Sequence, residues 1–193
     1  MDCDGPQPLL ETLLAKKSAI VDEWLTRTLQ SYPEHTSRFL SRERDLFRNP
    51  VGSAFKAALP VLLDAVLEGV DAGQVTPPLD SLVRIRAVQD FTPGQAIAFV
   101  LLLRPVLRDT LASQSQAGPD RDALATLDSR IDALALLAFD LFMKCRERIY
   151  EIRTNEARRR IFVLERRHRL DPSADPGASE VSAEMSPRPN GLT

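Results

Sequence analysis

Histidine and cysteine are nearly absent from this chain, with two of each among 193 residues. Cys3 and Cys145 build no disulfide framework, and a reducing cytoplasm is the simplest compartment for them. The histidines are His35, in a short early helix, and His168, near the end of a long one. Neither lies at 83–90, the mid-chain helix that would carry the proximal ligand of a haem in a globin-like array, so haem is not expected. Zinc needs three or four ligands within reach, and Asp2, Cys3 and Asp4 form only a short cluster on a fraying end. Glu34 next to His35 has no serine or cysteine nucleophile motif beside it. No catalytic residue, metal site or cofactor is expected, and the chain reads as a non-enzyme.

Glycine is scarce too, eight residues against fourteen prolines. Most prolines fall at apparent helix starts or in the last stretch. The N-terminus, MDCDGPQP, lacks the basic and apolar regions of a signal peptide. Apolar runs are short: residues 96–103 make eight in a row before Arg104, so no membrane span is expected. No segment alternates with the period of a strand, so a glycine-rich phosphate loop after a strand is excluded as well.

What remains is helix. Hydrophobic residues are 44% and charged residues 27%, enough for a real core. Leu9, Leu10, Leu13, Leu14, Ile20, Val21, Trp24, Leu25 and Leu29 repeat at helical spacing over 9–32. Pro33 ends that helix, and 34–47 gives a further short helix or two. Asn49-Pro50 reads as a cap followed by a first-turn proline. The helix at 51–70 contains Pro60, which predicts a kink. Residues 71–75 read as a loop, and Thr76-Pro77 opens the next helix. Thr92-x-x-Gln95 is a capping box starting the most apolar helix, 97–111, with a second kink expected at Pro105. The expected fold is all-α: a globin-like or orthogonal bundle of five to six helices with a long protruding C-terminal helix. In domain terms this is a flexible N-terminus at 1–8, a helical domain at 9–155, a basic helical arm at 156–170 and a disordered tail at 171–193.

The long helix, about 122–168, organises the rest. At about 1.5 Å per residue it spans roughly 70 Å, twice the width of so small a domain. Leu127, Ile131, Leu134, Ala138, Leu141 and Cys145 follow 4-3-4-3-4 spacing, a seam for the core and for a homodimer. The dimer-interface residues expected from it are Leu127, Ile131, Leu134, Leu141 and Cys145. Residues 144–169 hold ten basic side chains against four acidic ones, a local charge of +6 that leaves −8 for the remainder. Within this stretch Arg158, Arg159 and Arg160 precede an IFVL cluster, and Arg166 and Arg167 follow it. A solvated helix, a dimer or protein-binding arm, and a nucleic-acid or membrane-surface helix are the three readings. Phosphate binding needs arginine but not phenylalanine, so Ile161, Phe162 and Leu164 favour an unidentified protein partner, with the arginines steering.

The blocks FLSRERDLFRNPVG (39–52), VRIRAVQDFTPGQAIAF (83–99) and RIDALALLAFDLFMKCRERIYEIRTNEARRR (130–160) resemble the N-terminal domain of the RsbT co-antagonist family, RsbRD type. The likeness runs over about 9–160. It implies an all-α regulatory input domain, related to non-haem globin-like sensors, that dimerises and feeds an output domain through a long helix. Only 23 residues follow Leu170, too few for such an output domain, so the expectation is a stand-alone input domain. Stand-alone copies also look similar to small proteins encoded near dissimilatory sulfur-metabolism genes. Pro60 and Pro105, each inside an apolar helix, depart from the family pattern. They suggest a small-molecule pocket between kinked helices. Arg84 or Arg86 stands at its mouth facing an anion, unless these arginines are ion-paired with the acidic remainder of the domain.

Overall fold

The structure is a computed structural model and describes residues 7–32, 49–89, 91–112 and 121–170. Seven helices and no strand occur among them: α1 Gln7–Ala15, α2 Lys17–Gln30, α3 Pro50–Glu68, α4 Ala72–Val88, α5 Pro93–Leu101, α6 Leu103–Ala112 and α7 Arg121–Leu170. The all-α expectation holds. Cys3, His35 and the predicted helices at 34–47 lie outside the described residues, as does the tail after Leu170. Contacts divide the chain into two compact units, Met1–Arg148 and Ile149–Thr193.

Prolines explain where the helices differ from expectation. The predicted helix at 97–111 is broken at Leu102, three residues before Pro105, instead of kinking at it. Starting α6 at Leu103 moves Pro105 into a first turn, where no helical donor is required of it. The residues read as a loop at 71–75 are helical from Ala72. Asp71 caps them through Gly73 N, which donates to its Oδ1 at 2.9 Å. Pro77 and Pro78 therefore sit in the second turn. Their missing N–H groups leave the Gly73 and Gln74 carbonyls to solvent, where both residues are exposed. The Ala72 carbonyl accepts from Thr76 Oγ1 at 2.6 Å. Pro60 does not interrupt α3, which runs through it. The predicted first helix is broken at Lys16 into α1 and α2.

The first unit has a continuous core. Leu13, Ile20 and Trp24 from α1 and α2 meet Phe55, Leu59, Leu62, Leu63 and Val66 of α3, with Leu79 and Leu82 of α4 and Phe99, Leu103 and Val106 of α5 and α6. α3 is long and apolar enough to cross a membrane by length and composition alone. Nine of its residues, Phe55 and Leu59 among them, are buried in the unit. Trp24 Nε1 donates to the Phe99 carbonyl at 2.6 Å. Phe99 lies in the last turn of α5, where carbonyls lose their regular donors, so the indole serves an acceptor made available by the helix break. Ion pairs bind the perimeter: Lys17 with Asp64 at 2.6 Å, Arg108 with Asp128 at 2.6 Å, and Arg104 with Asp132.

Both predicted caps form. Thr92 Oγ1 accepts from Gln95 N at 3.3 Å and Gln95 Oε1 accepts from Thr92 N at 3.0 Å. Asn49 is buried, and its Oδ1 accepts from Gly52 N at 2.7 Å. A Cβ on Gly52 would stand 2.4 Å from Asn49 Nδ2, so any side chain there displaces the cap. Gly52→Ala is therefore expected to destabilise the chain by about 1–2 kcal/mol, the usual worth of a cap. The urea midpoint, compared with that of Asn49→Ala, checks this; the two losses should be similar and should not add in the double variant.

Candidate functional site

The seam of α7 turns inward. Leu127, Ile131 and Leu134 are buried and pack against the chain's own helices. Leu141 and Cys145 continue the same side and are half-buried; Cys145 is a free thiol. On the opposite side Leu136 is 68% exposed and Phe139 39%, and the half-buried Met143 follows four residues on. Those three make a 3-4 apolar stripe beside the 127–145 seam.

In the second unit every described side chain from Tyr150 to Arg167 is exposed. Ile161, Phe162, Val163 and Leu164 are 57–64% exposed, four large apolar residues in succession. Arg158, Arg159, Arg166 and Arg167 are exposed around them, and Arg160 is exposed while paired with Glu156 one turn back. The structure thus places all the predicted partner-binding residues on one helical segment, open to solvent.

Arg84 and Arg86 part company. Arg84 is exposed and pairs with Asp80 at 2.6 Å within its own helix. Arg86 is fully buried, 0% exposed, in the last turn of α4. Its guanidinium carbon lies 5.0–5.3 Å from the ring centres of Tyr32, Phe55, Phe91 and Phe99. Nη1 donates to the Gln95 carbonyl at 2.9 Å and Nη2 to Ser31 Oγ at 3.3 Å. Nε has no acceptor, the Tyr32 hydroxyl has no partner of good geometry, and no carboxylate among the described residues pairs with the charge. Burial pulls the guanidinium below its ordinary range, and Tyr32 opposes this. Burial likewise pushes the Tyr32 phenol up, partly countered by the charge of Arg86.

Sequence reasoning found the arginine and missed its cage. The four rings come from four places up to 67 positions apart, and no spacing rule joins them. The available signal was scarcity: four of the chain's eleven aromatic residues surround one side chain. Among the described residues no group of histidine, cysteine and carboxylates stands close enough to hold a metal. A separate apolar cavity of about 100 Å³ is lined by Leu9, Leu10, Ala123, Thr126, Leu127 and Arg130. Arg130 donates from its rim to the Val66 carbonyl at 3.0 Å, at the C-terminal end of α3.

Residues 18–157 match the family described as the RsbT co-antagonist protein rsbRD N-terminal domain. An uncharacterized protein of Archaeoglobus fulgidus is 26% identical over 143 residues, covering 72% of this chain and 83% of the relative. No solved structure matches the chain.

The two arginines should answer differently to mutation. Arg84→Ala is expected to change stability by no more than about 0.5 kcal/mol, since an exposed pair one turn apart contributes little. Arg86→Ala, which empties the space between four rings, is expected to cost about 3 kcal/mol or more. Thermal melts of the two variants check the contrast.

Proposed function

The chain belongs to the RsbT co-antagonist rsbRD N-terminal domain family, a family of regulatory domains, and we propose that it is a non-catalytic signalling protein that docks on a protein partner through α7. The observation that supports this reading is the exposed run Ile161, Phe162, Val163 and Leu164 between arginine clusters. Ile161 and Leu164, three residues apart, share one side of the helix, and Phe162 lies about 100° round from Ile161. A complementary surface is an apolar groove with an acidic rim. Residues 149–170 carry seven arginines against three glutamates, so such a rim also accelerates encounter. The free thiol of Cys145 suits a reducing cytoplasm.

The same reading has the chain acting as a homodimer, with the interface moved from the buried seam to Leu136, Phe139 and Met143. Their exposure at 3-4 spacing supports it.

Phe162→Asp is expected to abolish retention of a defined protein from nuclease-treated lysate while leaving the melting temperature within about 2 °C, because the residue makes no contact in the core. An equal loss of thermal stability would count against docking. Retention that disappears with nuclease, together with steep salt dependence, would mark a nucleic-acid helix instead. Leu136→Lys is expected to convert a dimer to a monomer in light scattering without lowering helicity; an unchanged mass would remove this face from the proposal.

A further inference from the structure

We propose that the cavity between α1 and α7 binds a small monocarboxylate with a short alkyl chain, the chain in the cavity and the carboxylate on Arg130. This proposal is independent of the docking reading for α7, and the site shares no residue with the Arg86 cage. Four of its lining residues, Ala123, Thr126, Leu127 and Arg130, stand at i, i+3, i+4 and i+7 and so share one side of α7. Leu9 and Leu10 of α1 form the other wall. The cavity, about 100 Å³, is partly open, and Thr126 in its wall is exposed, so the site is reached directly from solvent.

Arg130 is the one charged residue in this lining, and it has donors to spare. Thr126 Oγ1 donates to the Asp122 carbonyl at 2.9 Å within its own helix, so that hydroxyl hydrogen is used. Arg130 is half-buried and gives Nη1 to the Val66 and Leu67 carbonyls in the last turn of α3. Its Nε and Nη2 make no hydrogen bond, and its charge meets no carboxylate among the described residues. Nε and Nη2 are the two nitrogens on the side of a guanidinium that a planar carboxylate takes with two parallel bonds. The α3 carbonyls offset only part of the charge, since a helix C-terminus carries about half a negative charge. What remains suits a monoanion.

The rest of the lining decides the rest of the ligand. The side chains of Leu9, Leu10, Ala123 and Leu127 present only hydrocarbon. A cavity of about 150 Å³ accepts benzene, so the smaller volume here holds an alkyl group of roughly four carbons. A neutral hydrocarbon would leave Arg130 unused, and an inorganic anion would leave the hydrocarbon wall empty. Packing alone favours a larger side chain than Ala123 at this wall, because an empty apolar space costs stability in proportion to its volume.

The test is calorimetric titration of the full chain with sodium acetate, propionate, butyrate, valerate and hexanoate, and with 1-pentanol, with sodium chloride holding ionic strength constant. Affinity is expected to rise about fourfold per added carbon up to valerate, the worth of one buried methylene, and to rise no further at hexanoate. 1-Pentanol, which has the valerate chain without its charge, is expected to bind about tenfold more weakly. Arg130→Met should weaken valerate about tenfold and leave 1-pentanol unchanged; a purely structural arginine would weaken both alike. Ala123→Leu, which fills the cavity, should abolish binding of both. If that variant does not fold, Thr126→Phe at the exposed mouth takes its place, and if Arg130→Met does not fold, the wild-type series decides alone. No saturable heat with valerate overturns the proposal, as does 1-pentanol binding as tightly as valerate. Equal affinity for acetate and valerate overturns the assignment of the cavity to the alkyl chain.

Discussion

A buried positive charge, paired with no carboxylate among the described residues and held among aromatic rings, is the constraint around which one side of the helical unit is arranged. The rings about Arg86 come from just beyond α2, from α3, from the α4–α5 connection and from α5. Each contact is modest alone, but together they require these elements to meet at one point. The carbonyl that Arg86 Nη1 reaches belongs to Gln95, whose side chain closes the Thr92 capping box. The Phe99 carbonyl next along α5 is held by Trp24 of α2. α5 is thus held at its start by its own cap and by the arginine, and in its last turn by the indole.

Proline shapes the same region in a different way. Pro105 divides one apolar run into α5 and α6, and the division turns backbone acceptors toward side chains such as Trp24. Pro77 and Pro78 leave their unmatched carbonyls on an exposed turn, and Pro60 lies in a helix that continues through it. The same residue type breaks one helix and is absorbed by two others. The difference lies in whether a new first turn can begin just upstream and whether the orphaned carbonyls reach water.

The long helix has two chemistries. Within the first unit its inward side is core and its outward side shows Leu136 and Phe139. In the second unit, apolar and arginine side chains are exposed together. One continuous α-helix, Arg121–Leu170, contains both the buried and the exposed stretch.

Much of this was legible in the residues. Helical periodicity determined the class, Asn49 and Thr92 announced their caps by local hydrogen-bonding chemistry, and three sequence blocks carried the family. Local rules sufficed because a cap or an apolar stripe is decided within a turn or two. The IFVL cluster was visible for the same reason, being four neighbours in the chain. Tertiary structure alone decided which side of α7 is covered, since Leu127 and Leu136 are equally apolar and differ only in what packs against them. It alone separated Arg84 from Arg86, two residues apart in sequence. One meets water and Asp80; the other meets four rings brought together from 32, 55, 91 and 99 by the packing of α2 to α5. Burial is a property of the assembled helices, and no spacing within one helix encodes what the others will place around it.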